Sequence, residues 1–392
     1  MRHGQYTVTR REVHQWALSR LTAHLRLPDF SPRCPAETVL SVVLLAAARL
    51  CSIFAAAGRL LAVPSAETIR RALAAALPDR EELERRLNRA LTADLPRSLI
   101  GTRQPLACDL TLRPYHGRPF ARADEVYRSK AKSGTSHFHA YATAYLVCRG
   151  RRFTLALTWV RRGEPLADVL WRLLRQARRV GVRPRYLLLD RGFCSVAVLR
   201  SLQAGRRPFL MPLPLRGRQL DHPRGPSGSR VYAAWKRSGW SRYTLADAHG
   251  RKATVGVCVK CRNRRGERGR HGREALVYAY GGGLVPRSYR WVKETYRSRF
   301  AIEATYRQLG QARIRTSTRD PLLRLLYVAV ALLLRNVWVW LHWQVLAERR
   351  RGGRRVDTDQ LTFRTLLLWL QHWAEALLGV RDEIHAKYPM EE

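Results

Sequence analysis

Acidic residues are scarce in this sequence: 30 Asp and Glu stand against 72 Lys and Arg, a formal net charge of +42. That excess goes far beyond what solubility needs and implies a polyanionic partner. Lysine is scarce too, confined to positions 130, 132, 236, 252, 260, 293 and 387, so arginine carries the charge. Arginine makes bidentate contacts to phosphates and guanine edges that lysine cannot. A GC-rich genome would also enrich arginine, but it would not remove the acids. Nucleic acid is therefore the expected partner, ahead of an anionic membrane surface.

Uninterrupted apolar runs of membrane-spanning length are missing as well. Residues 39–63 are broken by Arg49 and Arg59, and residues 322–346 by Arg324, Arg335 and Asn336. Both stretches read as buried core helices. The opening MRHGQYTVTRREVHQW lacks the apolar segment of a secretory signal. A soluble, cytoplasmic, nucleoid-associated protein with no membrane partner is expected. The seven cysteines are odd in number and scattered, which suits reduced, buried thiols. Cys258 and Cys261 form a lone C-x-x-C, with His249 and His271 as the nearest co-ligands. A structural zinc site needs four ligands, so a strand that carries two cysteines is the stronger reading, with zinc left open.

The 392 residues suffice for two or three domains. Residues 1–100 read as a helical N-terminal DNA-binding domain, with helices expected over 11–27, 36–57, from Ser65 to Pro78, and from Asp79 onward. Ser65 stands at an N-cap position, and Asp79 with Glu82 makes a capping-box-like start. The helices around the 58–64 connection fit either a helix-turn-helix presenting Thr68, Arg70 and Arg71 to DNA, or any small bundle.

Strands are then expected over 105–112, ending near Asp109, and over 139–148, 153–160, 186–189 and 208–213. Helices over 166–181 and 196–203 separate the last three. The order β-β-β-α-β-α-β is the ribonuclease-H-like α/β layout, so residues 101–213 read as the first part of such a core. Residues 214–290 read as a β-rich insertion, with strand-like runs at 230–235, 253–260 and 274–280. Its basic loop, RNRRGERGRHGR at 262–273, places Arg264, Arg265, Arg268 and Arg270 as phosphate contacts. Residues 291–346 read as the second part of the core, beginning with one helix over 291–316. Residues 347–392 read as a helical C-terminal region, with a basic break at 349–355 and a helix over 358–378.

In an open α/β sheet, ligands collect beyond the carboxyl ends of the strands, where Asp109 and Asp190 are expected. Two facing carboxylates repel unless a cation intervenes, and hard oxygen ligands suit Mg²⁺. On the 291–316 helix, Tyr296, Arg299, Glu303, Tyr306, Arg307 and Gly310 share one face, so Glu303 is placed to be a third ligand in a two-metal clamp. Singly, each acid also has a plain role: Asp109 as a turn cap, Asp190 in a tight turn, Glu303 paired with Arg299 or Arg307.

Asp190-Arg191-Gly192-Phe193 after an apolar strand, followed by Tyr296-x-x-Arg299-x-x-x-Glu303, resembles the DDE transposases of bacterial and archaeal insertion sequences. The pattern looks most like the group marked by a Tyr-Arg-Glu-Lys signature and a β-strand insertion before the Glu. Asp109-x-Thr-x-x-Pro-Tyr-His-Gly, with Ser129-Lys130 and Gly134-Thr135, is similar to a branch first named from haloarchaeal elements. The signature Lys falls on Gly310 here, leaving Arg307 or Arg313 as substitutes.

The resemblance implies that Asp109, Asp190 and Glu303 are catalytic and hold two Mg²⁺ ions, with Mn²⁺ able to substitute. Tyr296, Arg299 and Arg191 would hold the terminal phosphate. It further implies cleavage of double-stranded DNA at the element's terminal inverted repeats, transfer of the 3′-OH into target DNA, and a homodimer on DNA. A domesticated, catalytically silent DNA-binding protein and a non-mobile nuclease of the same fold are the competing readings.

Overall fold

The side chains that cap helices define where the first ones begin. The computed structural model describes residues 7–148, 150–263, 273–300, 306, 308–351 and 353–383. Helix α1 (Arg10–Leu25) opens on a capping box in which the Thr9 hydroxyl accepts from the Glu12 N–H and the Glu12 carboxylate accepts from the Thr9 N–H. Helices α2 (Ala36–Ala48) and α3 (Ile53–Ala57) replace the single expected helix over 36–57. The chain breaks because Leu50 adopts left-handed backbone (φ 57°) and Ser52 caps α3 by accepting from the Ala55 N–H. The Cys51 carbonyl, freed by the break, accepts from the Arg315 N–H at 3.0 Å.

Helices α4 (Ala66–Ala76) and α5 (Arg80–Thr92) start at Ser65 and Asp79, as their cap chemistry requires. On α4, Arg70 is held by Glu67 through two hydrogen bonds of 2.9 and 2.6 Å, and Arg71 is exposed. With only five residues in α3, this pair is not a conventional helix-turn-helix.

The chain divides into two units. Arg97–Tyr115 and Val126–Ala304 form the one built on the sheet. Its strands are β1 (Arg103–Pro114), β2 (Tyr127–Lys132), β3 (Thr135–Leu146) and β4 (Thr154–Val160), then β5 (Arg183–Leu189) and β6 (Phe209–Pro212). Helix α6 (Leu166–Arg179) crosses between β4 and β5, and α7 (Val196–Ala204) between β5 and β6. Strands β7 (Gly239–Ala246), β8 (Lys252–Asn263) and β9 (Arg273–Gly281) follow, then helix α8 (Tyr289–Arg297). All nine strands join one sheet in the order β2-β3-β1-β5-β6-β9-β8-β7, with β4 on β3. Strands β1, β5 and β6 run parallel, β3 antiparallel to β1, and β9 antiparallel to β6. This is the ribonuclease-H-like α/β arrangement, and the inserted strands lengthen its sheet.

Several local expectations are corrected. Strand β1 does not stop near Asp109 but runs on to Pro114, because β3 continues to pair with it as far as Pro114↔Phe138. Strand β2 was not expected at all. Its side chains are nearly all exposed, so it shows no apolar alternation, and it turns into β3 through Ser133 (φ 54°) and Gly134 (φ 75°). Residues 230–235 are not a strand: Gly228–Ala234 is a 3₁₀ helix, in which the Ser229 hydroxyl donates to the Pro214 carbonyl and accepts from the Arg216 N–H. Strand β7 takes that place in the sheet. Cys258 and Cys261 sit three apart on β8 and so face opposite sides of it, Cys258 buried and Cys261 donating to the Trp235 carbonyl.

The helix expected over 291–316 is interrupted. Helix α8 ends at Arg297, a 3₁₀ turn follows over Ser298–Phe300, Tyr306, Gln308 and Leu309 are again α-helical, and a second 3₁₀ turn lies at Gly310–Ala312. The Ser298 hydroxyl donates back to the Thr295 carbonyl at 2.6 Å, a local competitor to continued helix.

Met1–Pro96, His116–Glu125 and Thr305–Glu392 form the other unit. It contains α1–α5, the long helix α9 (Pro321–Trp340) with a π-helical extension (Leu341–Leu346), a small hairpin β10 (Glu348–Arg350) and β11 (Gly353–Arg355), and α10 (Phe363–Leu378). The structure thus groups α9 with the N-terminal helices, not with the sheet. Among the described residues, Pro321–Leu346 is the helix long and apolar enough to cross a membrane, and 83% of its most apolar window is buried inside the protein. Its polar residues are satisfied there: Arg324 donates to the Thr318 carbonyl at 2.6 Å, Arg335 to the Gln308 side chain at 3.1 Å, and Asn336 to the Leu91 carbonyl at 2.8 Å. Helix α10 begins at Phe363, later than the expected 358, because Thr362 caps it.

Gly282 marks where the inserted strands meet the core. Its φ is +62°, and a Cβ there would lie 1.8 Å from the Arg207 carbonyl oxygen. Gly282→Ala must therefore displace β9 from β6, and we expect a loss of about 3 kcal/mol or more in urea unfolding. A loss under about 1 kcal/mol would show that the backbone yields at this crossing.

Candidate active site

Strand register places the two aspartates together. Strands β1 and β5 pair in parallel up to Cys108↔Leu189, so Asp109 on β1 and Asp190, the first residue past the end of β5, follow directly on that pair. Behind them the strands are dry: Leu106, Ala107, Cys108 and Leu187–Leu189 are all fully buried. Burial, and after it the Asp109 charge, pushes the Cys108 thiol up to about 12, so a neutral thiol backs the acid.

Asp109 is 13% exposed and one of its oxygens accepts from the Leu110 N–H at 2.9 Å. Asp190 is 43% exposed and caps the 3₁₀ turn Arg191–Phe193, accepting from the Gly192 N–H at 3.5 Å. The tight turn read in Asp190-Arg191-Gly192 is real, and it leaves the other carboxylate oxygen facing Arg299.

Arg299 joins the pair. Its Nη1 donates to Asp109 Oδ2 at 3.2 Å, and its Nη2 lies 3.5 Å from Asp190 Oδ1. The guanidinium lies 5.4 Å from the Tyr296 ring and 5.5 Å from the Phe300 ring, and the residue is only 5% exposed. A cation so buried needs charged partners, and it meets both carboxylates. The Tyr296 hydroxyl reaches the Leu189 carbonyl at 3.4 Å, at the tip of β5. Burial above all holds the Tyr296 phenol well above its usual range, with the Asp190 and Asp109 charges adding to this and Arg299 opposing it. It therefore remains a hydrogen-bond donor at any physiological pH.

A cleft of about 810 Å³ opens from Asp190 and Arg299. Tyr278, Tyr296 and Phe300 line it with aromatic surface, and Arg191, Arg262, Lys293 and Arg297 with positive charge. Of these cations, Arg262 is paired with Glu274 at 2.8 Å. Lys293 and Arg297 were missed from the sequence, although their spacing of four on a helix puts them on one face. Tyr278 lies on β9, whose pairing with β6 no sequence signal foretold.

The structure thus brings Asp109, Asp190, Tyr296 and Arg299 together, with the exposed Arg191 beside them. Arg313 is an exposed residue of the helical unit. Glu303, Arg307, Arg264, Arg265, Arg268 and Arg270 lie outside the described residues. Among the described residues, no group of three or more His, Cys, Asp or Glu is arranged to hold a metal ion. The two aspartates nevertheless fit a hard divalent cation: both offer oxygen donors, and both are already directed at one positive group.

Comparison with known families identifies the family of the chain. The family model described as "Transposase DDE domain" matches residues 106–336, which include both aspartates, Tyr296 and Arg299. The chain belongs to the DDE transposases. Enzymes of this family cleave DNA and transfer strands, generally with divalent metal ions. In fold the transposase is similar to the piggyBac transposase in its synaptic complex with hairpin DNA, at a TM-score of 0.53 and 11% identity. That likeness covers 98% of this chain and 84% of the other. The search of curated proteins finds no match.

Proposed function

We propose that this transposase moves an insertion sequence, cutting double-stranded DNA at the element's terminal inverted repeats and joining the freed 3′ ends to target DNA. The observation that carries this is the β1–β5 register, which leaves Asp109 and Asp190 side by side with a buried arginine between them. Asp109, Asp190 and Glu303 are the three catalytic carboxylates in this reading. They would hold Mg²⁺, as two ions and replaceable by Mn²⁺, which when bound activates the attacking oxygen and offsets phosphate charge.

In the first step a water oxygen attacks the phosphorus at the element's end, the P–O3′ bond breaks, and the 3′ oxygen leaves as a free hydroxyl. In the second, that 3′-OH attacks a target phosphorus in line and displaces a target 3′ oxygen. Phosphoryl transfer needs positioning and charge stabilisation above all, and this chain's residues are suited to both. Arg299 and Arg191 bind the terminal phosphate, and the protonated Tyr296 hydroxyl orients it. The aromatic wall of the cleft excludes water and offers a stacking surface for the end nucleotide.

The net charge of +42 and the DNA-bound state of the piggyBac relative support double-stranded DNA as the partner. Joining two ends calls for at least two active sites, hence a homodimer on DNA, working in the cytoplasm at the nucleoid. The N-terminal helices add DNA contacts in this reading, with the exposed Arg71 on α4 as one of them.

The test is to incubate the protein with Mg²⁺ and labelled duplexes carrying the ends of its element. Cut and joined products are expected. Cut products alone would make it a nuclease, and a mobility shift without cleavage a silent DNA-binding protein.

A further inference from the structure

The basic stretch at 349–355 takes no part in the site above and lies outside the family match at 106–336. It forms a two-stranded sheet of its own, β10–β11, with pairs Glu348↔Arg355, Arg349↔Arg354 and Arg350↔Gly353. Five arginines and one glutamate occupy its positions 348–355. Arg349 and Arg354 stand directly opposite each other, and like charges so placed weaken a ribbon. An isolated two-stranded ribbon is marginal even without that repulsion.

The structure shows what keeps it in place. The Arg354 guanidinium lies 5.5 Å from the Trp343 ring and donates to the Trp343 carbonyl and, at 3.1 Å, to Gln344. Trp343 and Gln344 belong to the π-helical extension of α9, so one arginine pins the hairpin to the end of a buried helix. Arg350 pairs with Glu348 at 3.1 Å. Arg349, Arg351 and Arg355 are exposed, and none of them makes an ion pair among the described residues. Three unneutralised guanidinium groups are thus held on a fixed mount, in a ribbon that their own charge destabilises. A polyanion would relieve that repulsion, and a two-stranded ribbon is of a size to enter a DNA groove.

We propose that the β10–β11 hairpin is a second DNA contact, remote in sequence from the catalytic residues, in which Arg349, Arg351 and Arg355 grip duplex phosphates. It rests on the reading of this chain as a DNA-acting transposase. The contact is to the backbone, so it adds affinity without sequence preference.

The experiment measures affinity of the full-length protein for a duplex of arbitrary sequence across a salt series. Each phosphate contact contributes roughly 0.9 to the slope of log K against log salt. Arg349→Gln/Arg351→Gln/Arg355→Gln is expected to lower that slope by about 2 to 3. The corresponding triple lysine variant keeps the charge and is expected to keep the slope. A matched triple glutamine variant on α6, at the exposed Arg175, Arg178 and Arg179, removes the same charge elsewhere.

An unchanged slope in the hairpin variant overturns the proposal. So does an equal fall in the α6 variant, which would make the effect one of net charge, or an equal fall in the lysine variant, which would make it structural. Loss of binding to phosphatidylserine vesicles with the DNA slope intact would reassign the hairpin to a membrane surface and overturn it too. If the wild-type protein binds no duplex at all, the transposase reading itself fails and this proposal with it. Binding by the wild type with an unchanged variant sinks the hairpin alone.

Discussion

Asp109→Ala, Asp190→Ala and Glu303→Ala are each expected to lower DNA cleavage by about 10³-fold or more while leaving duplex affinity within a few-fold of wild type. The size follows from the chemistry: removing one preorganised group that stabilises transition-state charge costs on the order of 10²–10³ in rate, and a lost ligand also weakens metal retention. Affinity holds because arginines elsewhere supply the phosphate contacts. Asp109 needs a control for folding, since its removal takes one of the carboxylates that the buried Arg299 meets. Asp109→Asn keeps the shape and a hydrogen-bonding oxygen, and is expected to fold while remaining inactive. Gel analysis of labelled ends under single-turnover conditions measures the rate. Activity within ten-fold of wild type in any one of the three would remove that residue from the catalytic set.

Arg299→Gln is expected to destabilise the protein by about 2–4 kcal/mol at neutral pH and to make its melting temperature responsive to Mg²⁺. Breaking a buried ion pair by deleting one partner costs roughly 3–5 kcal/mol, because a charge is left uncompensated. The half-exposed Asp190 lowers that figure, since water screens it, whereas Asp109 is largely shielded. In the variant the two carboxylates confront each other without the Arg299 charge, and a divalent cation that binds only the folded state adds stability by mass action. Thermal melts with and without millimolar Mg²⁺ provide the measurement. A variant as stable as wild type and indifferent to Mg²⁺ would mean that Arg299 does not neutralise the aspartates in solution.

Much of this site was legible in the sequence because its parts leave local marks. An apolar run followed by Asp-Arg-Gly fixes where β5 ends and Asp190 begins. Ser65 and Asp79 announce the starts of α4 and α5, since a cap is a contact between near neighbours. What stayed hidden was non-local. Strand β2 is an exposed edge with no apolar period, and residues 230–235 alternate like a strand but are bent into a 3₁₀ helix by hydrogen bonds to residues 214 and 216. The role of Arg299 between two acids depends on the register of strands 80 residues apart in the chain. Helical spacing on its own helix could show only that it neighbours Tyr296.

The edge-to-edge joining of β6 and β9 gives the molecule something like a ruler. The inserted strands hang on the same hydrogen-bonded lattice as the acids, three strand intervals from β1 to β9, or about 14 Å at the usual spacing. Such a lattice resists stretching far better than a flexible tether would. Side chains carried on β9, Tyr278 among them, are therefore kept at a set distance from the two aspartates by backbone geometry.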